Sequence, residues 1–322
     1  MKLCIQIPCL NEEQTLPLVL KTIPKKISGI DEIIVVVIND GSDDNTVEVA
    51  KSLGVKHFVM HPRRRGLAQS FQDGLLKCLE LGADVIVNTD GDNQYPSESI
   101  PELIQPILAG KADMVVADRQ IPKIAHFSAG KKLMQRIGTK VLNFAANTDV
   151  PDAASGFRAY SREMALKLNV VTRFSYCMET LIAAGNSGAA ISSIPINVNP
   201  KTRESRLFNS SFEHVRRSGA AIFRAFVMFR PYALFITTGS ILFLLALIPF
   251  GRFLWGFFVS HHGGHVQSLI FGLVLMVSAL LCFALGVIAD LIRINRIMND
   301  KQLELTRRIY LGENGKGRAI SN

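Results

Sequence analysis

The chain has 322 residues, 48% of them hydrophobic, and its mean hydropathy of +0.24 is high for a purely soluble protein. Lys and Arg number 36 against 27 Asp and Glu, and this charge of +9 fits nucleic acid, an anionic membrane surface or phosphorylated substrates as partners. The five cysteines are scattered without a C-x-x-C pair, which argues against a disulfide framework or a cysteine zinc site and for reduced thiols.

The first 120 residues alternate apolar strands with helices. Because Glu12 and Glu13 follow the first apolar stretch so soon, that stretch is predicted to be a strand and not a signal peptide. Asn11 is predicted to cap the first helix. Alternation about every 25–30 residues indicates right-handed βαβ units and an α/β fold with a mainly parallel, Rossmann-like sheet. Strands are predicted at 2–8, 32–38, 56–61, 84–89 and 114–117, with helices ending near Pro24, Leu53, Leu81 and residue 109.

Carboxylates follow two of these strands at the point where each strand ends. Asp40 follows the second strand, and Asp90 and Asp92 follow the fourth, separated by Gly91. Parallel strands place these turns on one edge of the sheet, where open α/β sheets bind ligands. Two aspartates at this spacing suit Mg²⁺ or Mn²⁺, although an isolated Asp-Gly-Asp is equally compatible with a solvated acidic turn. Neither G-x-G-x-x-G nor a Walker A loop is present, which removes the main support for an NAD enzyme or an ATPase.

The chain becomes polar and basic after residue 120. A helix is predicted from about Ala129 to Ala146, and it carries Lys131, Lys132, Arg136 and Lys140. The segment Asp152–Tyr160 follows, then helices near 161–168 and 176–187 and a strand over 190–198. Residues 207–230 resemble a basic amphipathic helix lying in a membrane interface, with an ordinary surface helix as the alternative.

Two uncharged apolar stretches follow, Tyr232–Phe250 with 19 residues and Val266–Ala289 with 24. Each is long enough as a helix to cross a hydrocarbon core of ~30 Å. The flank 200–231 and the tail 290–322 carry seven Lys or Arg each, whereas the loop 251–265 carries one. The positive-inside rule therefore predicts an integral membrane protein with both termini and the first domain in the cytoplasm. The loop histidines His261, His262 and His265 are predicted to be polar loop residues and not a metal site.

Four motifs, in this order, resemble glycosyltransferase family 2 with the GT-A fold: Pro8–Glu13, Asn39–Asp44, Asp90–Pro96, and Asp152 with Ser155–Arg158. Within that family the chain is most similar to polyprenyl-phosphate glycosyltransferases, which include dolichol-phosphate mannose synthases and bacterial undecaprenyl-phosphate glucosyltransferases. The resemblance covers about residues 2–207, and the C-terminal hairpin matches the bacterial branch. The implied organisation is a GT-A catalytic domain over 1–206, an interfacial helix over 207–230, two transmembrane helices within 231–290 and a basic cytoplasmic tail over 291–322.

The resemblance also implies roles for individual residues. Asp90, Asp92 and Gln94 would hold Mg²⁺ or Mn²⁺, and the donor would complete the shell of the metal. The nucleoside would be held by Pro8, Glu12 and Asp40, and the donor phosphates by Arg203 and Arg206. The acceptor phosphate would be bound by Arg119 and Lys131, although dolichol enzymes tend to have Arg and Ser where this chain has Lys131 and Gln135. Asp152 would orient the sugar or align the nucleophile.

These roles imply an inverting transfer of a hexose from a nucleotide-sugar to polyprenyl phosphate at a lipid bilayer. A lipid phosphate is already ionised at pH 7, so the reaction needs positioning and screening of two anions more than a strong base. The bacterial branch favours UDP-glucose and undecaprenyl phosphate, and a dolichol-phosphate-mannose-type synthase using GDP-mannose is the alternative.

Two further readings compete with this one. A processive polysaccharide synthase would need a Q-x-x-R-W motif. The single tryptophan, Trp255, instead lies in the loop between the two predicted membrane spans, at the outer membrane–water interface. A non-enzymatic basic membrane-anchored binding protein would leave Asp90 and Asp92 without a purpose. Nucleic acid is not expected as a partner, because no nucleic-acid module is recognisable. A homo-oligomer is left open.

Overall fold

The computed structural model describes residues 1–121, 129–171, 176–200, 231–259 and 266–313. These residues form two compact units. The first unit contains the described residues up to 200 together with 300–313, and the second contains those between 231 and 299.

The first unit is an α/β structure built on seven strands. Its elements are β1 Lys2–Cys9, α1 Leu16–Thr22, β2 Glu32–Asn39, α2 Thr46–Ser52, β3 His57–Met60, α3 Leu67–Glu80, β4 Val85–Asn88, α4 Ile100–Leu108, β5 Met114–Asp118, α5 Ala129–Ala146, β6 Arg158–Ser161, α6 Arg162–Lys167, α7 Tyr176–Asn186 and β7 Ile191–Pro195. The strand order is β3-β2-β1-β4-β6-β5-β7. The described strands pair in parallel except for β6, which runs antiparallel to β4 and β5. The predicted α/β class with a mainly parallel sheet is confirmed.

The core lies on both faces of β1, β2 and β4, whose residues are mostly buried. Helix α3 packs against β1 and β2 through Phe71, Leu75 and Cys78. At Gly74 this helix approaches the sheet so closely that a Cβ there would lie 2.6 Å from Gln6 Oε1 and 2.7 Å from Ile38 Cδ1. Close packing of α3 therefore supports β1 and β2, the strands that lead to the edge with the acidic turns.

The structure differs from the prediction at three places. Strand β6 was not predicted, because its four residues, three of them in the Asp152–Tyr160 segment, show no alternating apolar pattern. Asn11 does not cap the first helix, which begins at Leu16 after Thr15. Asn11 instead adopts a left-handed conformation, with φ of +56°. Glu12 and Glu13, predicted in the first helical turn, lie in the loop before the helix.

The second unit contains α8, Pro231–Val259, and most of α9, Val266–Tyr310. Both helices contain segments that are long and apolar enough to cross a membrane, and those segments are mostly exposed. Helix α8 extends past Phe250, where the predicted apolar span ends, and α9 extends past Ala289 to Tyr310. Residues 291–310 of the predicted basic tail are therefore helical. The predicted interfacial helix 207–230 and the three loop histidines lie outside the described residues.

The last turns of α9 belong to the first unit. Arg307 is 8% exposed and donates to the carbonyl oxygens of Leu166 and Leu168, where α6 ends. Beside it, Arg308 pairs with Glu163 at 2.6 Å, and Asn169 donates to Asp300 at 2.7 Å. The first unit is consequently discontinuous in sequence, and the predicted domain boundary at residue 206 lies outside the described residues.

Candidate active site

The acidic turns after β2 and β4 border the same segment, which follows β1. The backbone N–H of Asp40 donates to Cys9 O at 2.9 Å. On the other side, a Cβ at Gly91 would lie 3.0 Å from Cys9 Sγ and 3.4 Å from Pro8 O. The β-strand register thus brings Pro8, Asp40 and the Asp-Gly-Asp turn to one edge of the sheet.

The segments 11–13 and 42–46 are joined by at least six hydrogen bonds, two of them from Asn45 to Glu13 Oε2. Asn11 N donates to Ser42 Oγ at 3.0 Å, and Asp43 N donates back to Asn11 Oδ1 at 2.8 Å. Glu12 N donates to Thr46 Oγ1 at 2.8 Å, and Glu13 N to Asp44 Oδ2 at 3.1 Å. Two motifs that lie about thirty residues apart therefore form a single loop structure, as close backbone approach at paired strand ends requires.

Asp40 organises the loop that follows β3. Its Oδ1 accepts from His61 Nδ1 at 2.9 Å and from Arg65 N at 2.7 Å, and its Oδ2 accepts from Gly66 N at 2.9 Å. The other ring nitrogen of His61, Nε2, lies 3.0 Å from Asp73 Oδ2. A contact from Asp40 to a nucleoside would therefore add to three existing bonds. His61 was not singled out from the sequence, although its place at the end of β3, before three arginines, was a usable signal.

Asp90 and Asp92 have the donor pattern that a divalent cation needs. Asp90 Oδ1 is buried and has no hydrogen-bond partner among the described residues. The pKa of Asp90 is raised to about 7. Burial is the main cause, the negative charges of Asp92 and Glu12 also raise the pKa, and the positive charge of Arg119 lowers it. A buried carboxylate oxygen without a partner, beside a second carboxylate, is what a bound cation would satisfy.

The metal shell would need additional donors. Among the described residues, no group of three or more His, Cys, Asp or Glu side chains has the arrangement of a metal site. Gln94 lies in the same turn, and its N–H donates to Asp92 Oδ1 at 3.1 Å. Two aspartates with open positions suit Mg²⁺ or Mn²⁺, which take their remaining ligands from water and phosphate oxygens.

Asp152 and Arg119 form a buried bidentate ion pair. Arg119 Nε lies 2.6 Å from Asp152 Oδ2, and Nη2 lies 2.9 Å from Oδ1. Asp152 is fully buried, and its Oδ1 also accepts from Ala154 N at 3.3 Å. Both carboxylate oxygens of Asp152 are therefore engaged in short charge-assisted hydrogen bonds with the guanidinium of Arg119. The pair therefore fits a positioning and charge-screening role.

Arg158 holds the loop that contains Asp152. It is fully buried and donates to the carbonyl oxygens of Ala153, Ser155 and Cys177 and to Thr180 Oγ1, all at 2.7–2.8 Å. Arg158 was recognised as part of a motif, but its sequence gave no indication that it joins this loop to α7.

Gly156 joins the same loop to the Asp-Gly-Asp turn. Its N–H donates to Tyr95 Oη at 2.9 Å, and its carbonyl oxygen accepts from Asn88 Nδ2 at 3.0 Å and from Tyr176 Oη at 3.3 Å. A Cβ at this position would lie 2.5 Å from Tyr176 Oη and 3.3 Å from Asp90 Oδ2. Only glycine fits there. Asn88 and Tyr176 were missed from the sequence, because polar side chains on a buried strand or helix carry no local signal. Tyr95 was part of the Asp90–Pro96 motif but was given no role.

Three predicted site residues are not placed by the structure. Arg203 and Arg206 lie outside the described residues, and Lys131 lies in the first turn of α5 but its side chain is not described. The structure brings together Pro8, Glu12, Asp40, Asp90 and Asp92 on one side, and Arg119 with Asp152 on the other.

The family model described as glycosyl transferase family 2 matches residues 4–168. The chain belongs to this family. It is therefore a glycosyltransferase, and the predicted family is confirmed.

Named relatives and solved structures agree with this assignment. The UDP-N-acetylglucosamine–dolichyl-phosphate N-acetylglucosaminyltransferase of Methanococcus voltae is 28% identical over 59% of this chain and 82% of its own length. The dolichol-phosphate mannosyltransferase of Pyrococcus furiosus is 32% identical over 67% of this chain and 62% of its own. Glucosyl-3-phosphoglycerate synthase from Mycobacterium tuberculosis, crystallised with Mn²⁺ and UDP, superposes with a TM-score of 0.55 at 20% identity, covering 70% of this chain and 78% of that one. This last likeness confirms the GT-A-like fold.

Proposed function

We propose that this glycosyltransferase is a membrane-anchored inverting enzyme that transfers a hexose from a nucleotide-sugar to polyprenyl phosphate. The observation that carries the proposal is an Asp90 oxygen, beside Asp92, that has no hydrogen-bond partner in the part of the chain that the structure describes. It lies on the sheet edge that also holds Pro8 and Asp40. The two relatives named above act on dolichyl or dolichol phosphate, and the long apolar helices α8 and α9 suit an enzyme whose acceptor stays in a bilayer.

The donor side uses the interlocked loops. Pro8, Glu12 and Asp40 hold the nucleoside, and Asp90 and Asp92, with Gln94 near them, hold Mg²⁺ or Mn²⁺. A divalent cation bound there supplies charge neutralisation for the departing diphosphate. Arg203 and Arg206 add positive charge at the donor phosphates.

The acceptor side uses the ion pair and α5. An ionised oxygen of the lipid phosphate attacks the anomeric carbon, the bond to the nucleoside diphosphate breaks, and no proton has to be removed from the nucleophile. Arg119 and Lys131 screen the two anions that must approach each other. Asp152 fixes the direction of Arg119 and borders the sugar, and it does not act as a general base.

The sugar and nucleotide are the finer part of the proposal. UDP-glucose is our first choice, and GDP-mannose and UDP-N-acetylglucosamine are the alternatives, because relatives carry mannose and N-acetylglucosamine in their names. The distribution of Lys and Arg favours a cytoplasmic location for the catalytic unit and both termini.

The test uses membranes containing the full chain, undecaprenyl phosphate, and a panel of radiolabelled nucleotide-sugars with Mg²⁺ or EDTA. We expect organic-extractable label with one donor, only with metal, and none with Asp92→Asn. Asp31→Asn is the matched control, because its side chain is 90% exposed and pairs with the N-terminal amine of Met1, before β2 begins. Equal lipid labelling by Asp92→Asn and the parent would disprove the metal assignment, and no labelled lipid from any donor would disprove the function.

A further inference from the structure

Helix α5 is apolar on two opposite faces. Its inner face, with Leu142, Ala145 and Ala146, is at most 2% exposed. Its outer face carries an outer stripe, which we define as Leu133, Ile137 and Phe144, with exposed fractions of 57%, 45% and 59%. At 100° per residue these three positions fall within about 40° of arc. A surface helix of a soluble unit normally presents polar residues there.

Basic residues flank the outer stripe on one side. Lys132, Arg136 and Lys140 are spaced four residues apart, and on the helical wheel they occupy the arc next to the stripe. Helix α5 contains no Asp or Glu over its 18 residues. An apolar stripe beside a row of cations, without acidic residues, is the pattern of helices that lie on anionic membranes.

The position of α5 in the chain connects this face to the acceptor side of the site. Its first turn contains Lys131, and the chain after its last turn leads to Asp152. That connection is held tightly, since Asn143 donates to Val150 O at 2.8 Å and accepts from Val150 N at 3.2 Å. Whatever contacts the outer stripe is therefore mechanically linked to the Asp152 loop.

We infer that the outer stripe of α5 lies in the interface of an anionic lipid bilayer. This inference rests on the membrane anchoring in the proposed function and adds the surface through which the catalytic unit contacts the lipid. Leucine, isoleucine and phenylalanine side chains enter the boundary between headgroups and acyl chains, while Arg136 and Lys140 meet anionic headgroups. The acceptor side of the site is thereby held at the depth where a lipid-linked phosphate resides.

Fluorescence quenching in vesicles tests the contact without reference to catalysis. Trp255 is the single tryptophan, so Trp255→Phe removes the native tryptophan fluorescence and leaves that of Ile137→Trp as the only tryptophan signal of the full-length protein. The matched control is Leu53→Trp, at a position 41% exposed where α2 ends, away from the acidic turns. Reconstitution into vesicles with acyl-chain-brominated lipids should at least halve the emission of Ile137→Trp, relative to unbrominated vesicles, and leave Leu53→Trp unchanged.

Other occupants of the stripe give different results. Blue-shifted emission without bromine quenching would mean that protein covers the stripe, and the inference would fail. Dependence of that shift on the protein-to-lipid ratio would identify a second copy, and independence would identify a segment of the same chain. Emission typical of water would also overturn it. An inactive protein that is still quenched would contradict the proposed function alone.

A kinetic measurement supplies an independent readout. Ile137→Gln with Phe144→Gln should raise the KM for vesicle-embedded polyprenyl phosphate about tenfold and leave the KM for the nucleotide-sugar unchanged. Arg136→Gln with Lys140→Gln should abolish the rise in activity on going from neutral vesicles to vesicles with about 30% anionic lipid. Equal changes in both KM values, or a retained lipid dependence, would refute the bilayer contact.

Discussion

The two sides of the active site are built differently. The donor side consists of short turns at the ends of the neighbouring strands β1, β2 and β4, joined by bonds such as that between Asn11 and Ser42. The acceptor side depends on buried side chains that bridge distant parts of the chain, namely Arg119 with Asp152 and Arg158 with α7. Backbone register therefore fixes the donor side, whereas a few polar contacts fix the acceptor side. Substitutions should separate function from stability on the first side and couple them on the second.

The largest effect is expected for Asp90→Asn. It removes a cation ligand, so activity should fall more than about a thousandfold. Because a buried charge is also removed, the thermal midpoint of the metal-free protein should stay the same or rise. Activity assays and thermal unfolding in detergent check both parts. A strongly lowered midpoint would show that the donor side is as fragile as the acceptor side.

Arg158→Leu should destabilise the catalytic unit by about 3–4 kcal/mol, because three carbonyl oxygens and one hydroxyl lose a buried charged donor. Thermal unfolding in detergent should show a midpoint roughly 10 °C lower. Lys51→Leu, at an exposed position of α2, is the control and should have little effect. A midpoint within about 2 °C of the parent would contradict the assigned role of Arg158.

Asp152→Asn breaks one side of a buried ion pair and should lower kcat about a hundredfold, with a smaller change in the KM for the nucleotide-sugar. The kcat of the variant should not recover at higher pH, since the carboxylate is not the proton acceptor in the proposed reaction. Recovery of kcat as pH rises would instead indicate general-base catalysis at this site.

Metal affinity should depend on pH through Asp90. Its pKa of about 7 means that a proton competes with the cation below neutrality. The affinity for Mn²⁺ without nucleotide should be constant above about pH 8 and fall about tenfold per pH unit well below pH 7. Calorimetric titrations between pH 5.5 and 8.5 measure this dependence. A flat profile would show that Asp90 is already ionised throughout.

The smallest effect is expected for Tyr176→Phe, which removes the hydroxyl that bonds Gly156 O but keeps the ring stacked on Phe71. The expected cost is about 1 kcal/mol with a few-fold lower kcat. Tyr310→Phe removes a hydroxyl that donates to Glu80 far along the chain, and it should leave kcat unchanged. Equal kcat values for the two variants would show that the Tyr176 hydroxyl does not help to position the loop that contains Gly156.

The same contrast explains what sequence reasoning could reach. Buried β-branched runs and the Asp-Gly-Asp spacing are local patterns, so the sheet, the helix Ala129–Ala146 and the shared edge of Asp40 and Asp90 could be predicted. Partners such as Asn88 and Tyr176 lie 88 positions apart and have no local signature. Strand β6 was missed for the same reason, since its pairing with β4 and β5 is decided by the sheet and not by its own four residues.

The insertion of Arg307 against the end of α6 has a consequence for how the enzyme is made. Arg307 lies near the end of α9 and is synthesised after the donor loops, the ion pair and the apolar segments of both long helices, so the catalytic unit is completed late. A nascent chain that ends within α9 before Arg307 would have every motif of its family. It would still lack the guanidinium that donates hydrogen bonds to the carbonyl oxygens of Leu166 and Leu168. Folding of the catalytic unit can therefore be completed only after most of α9 has been synthesised.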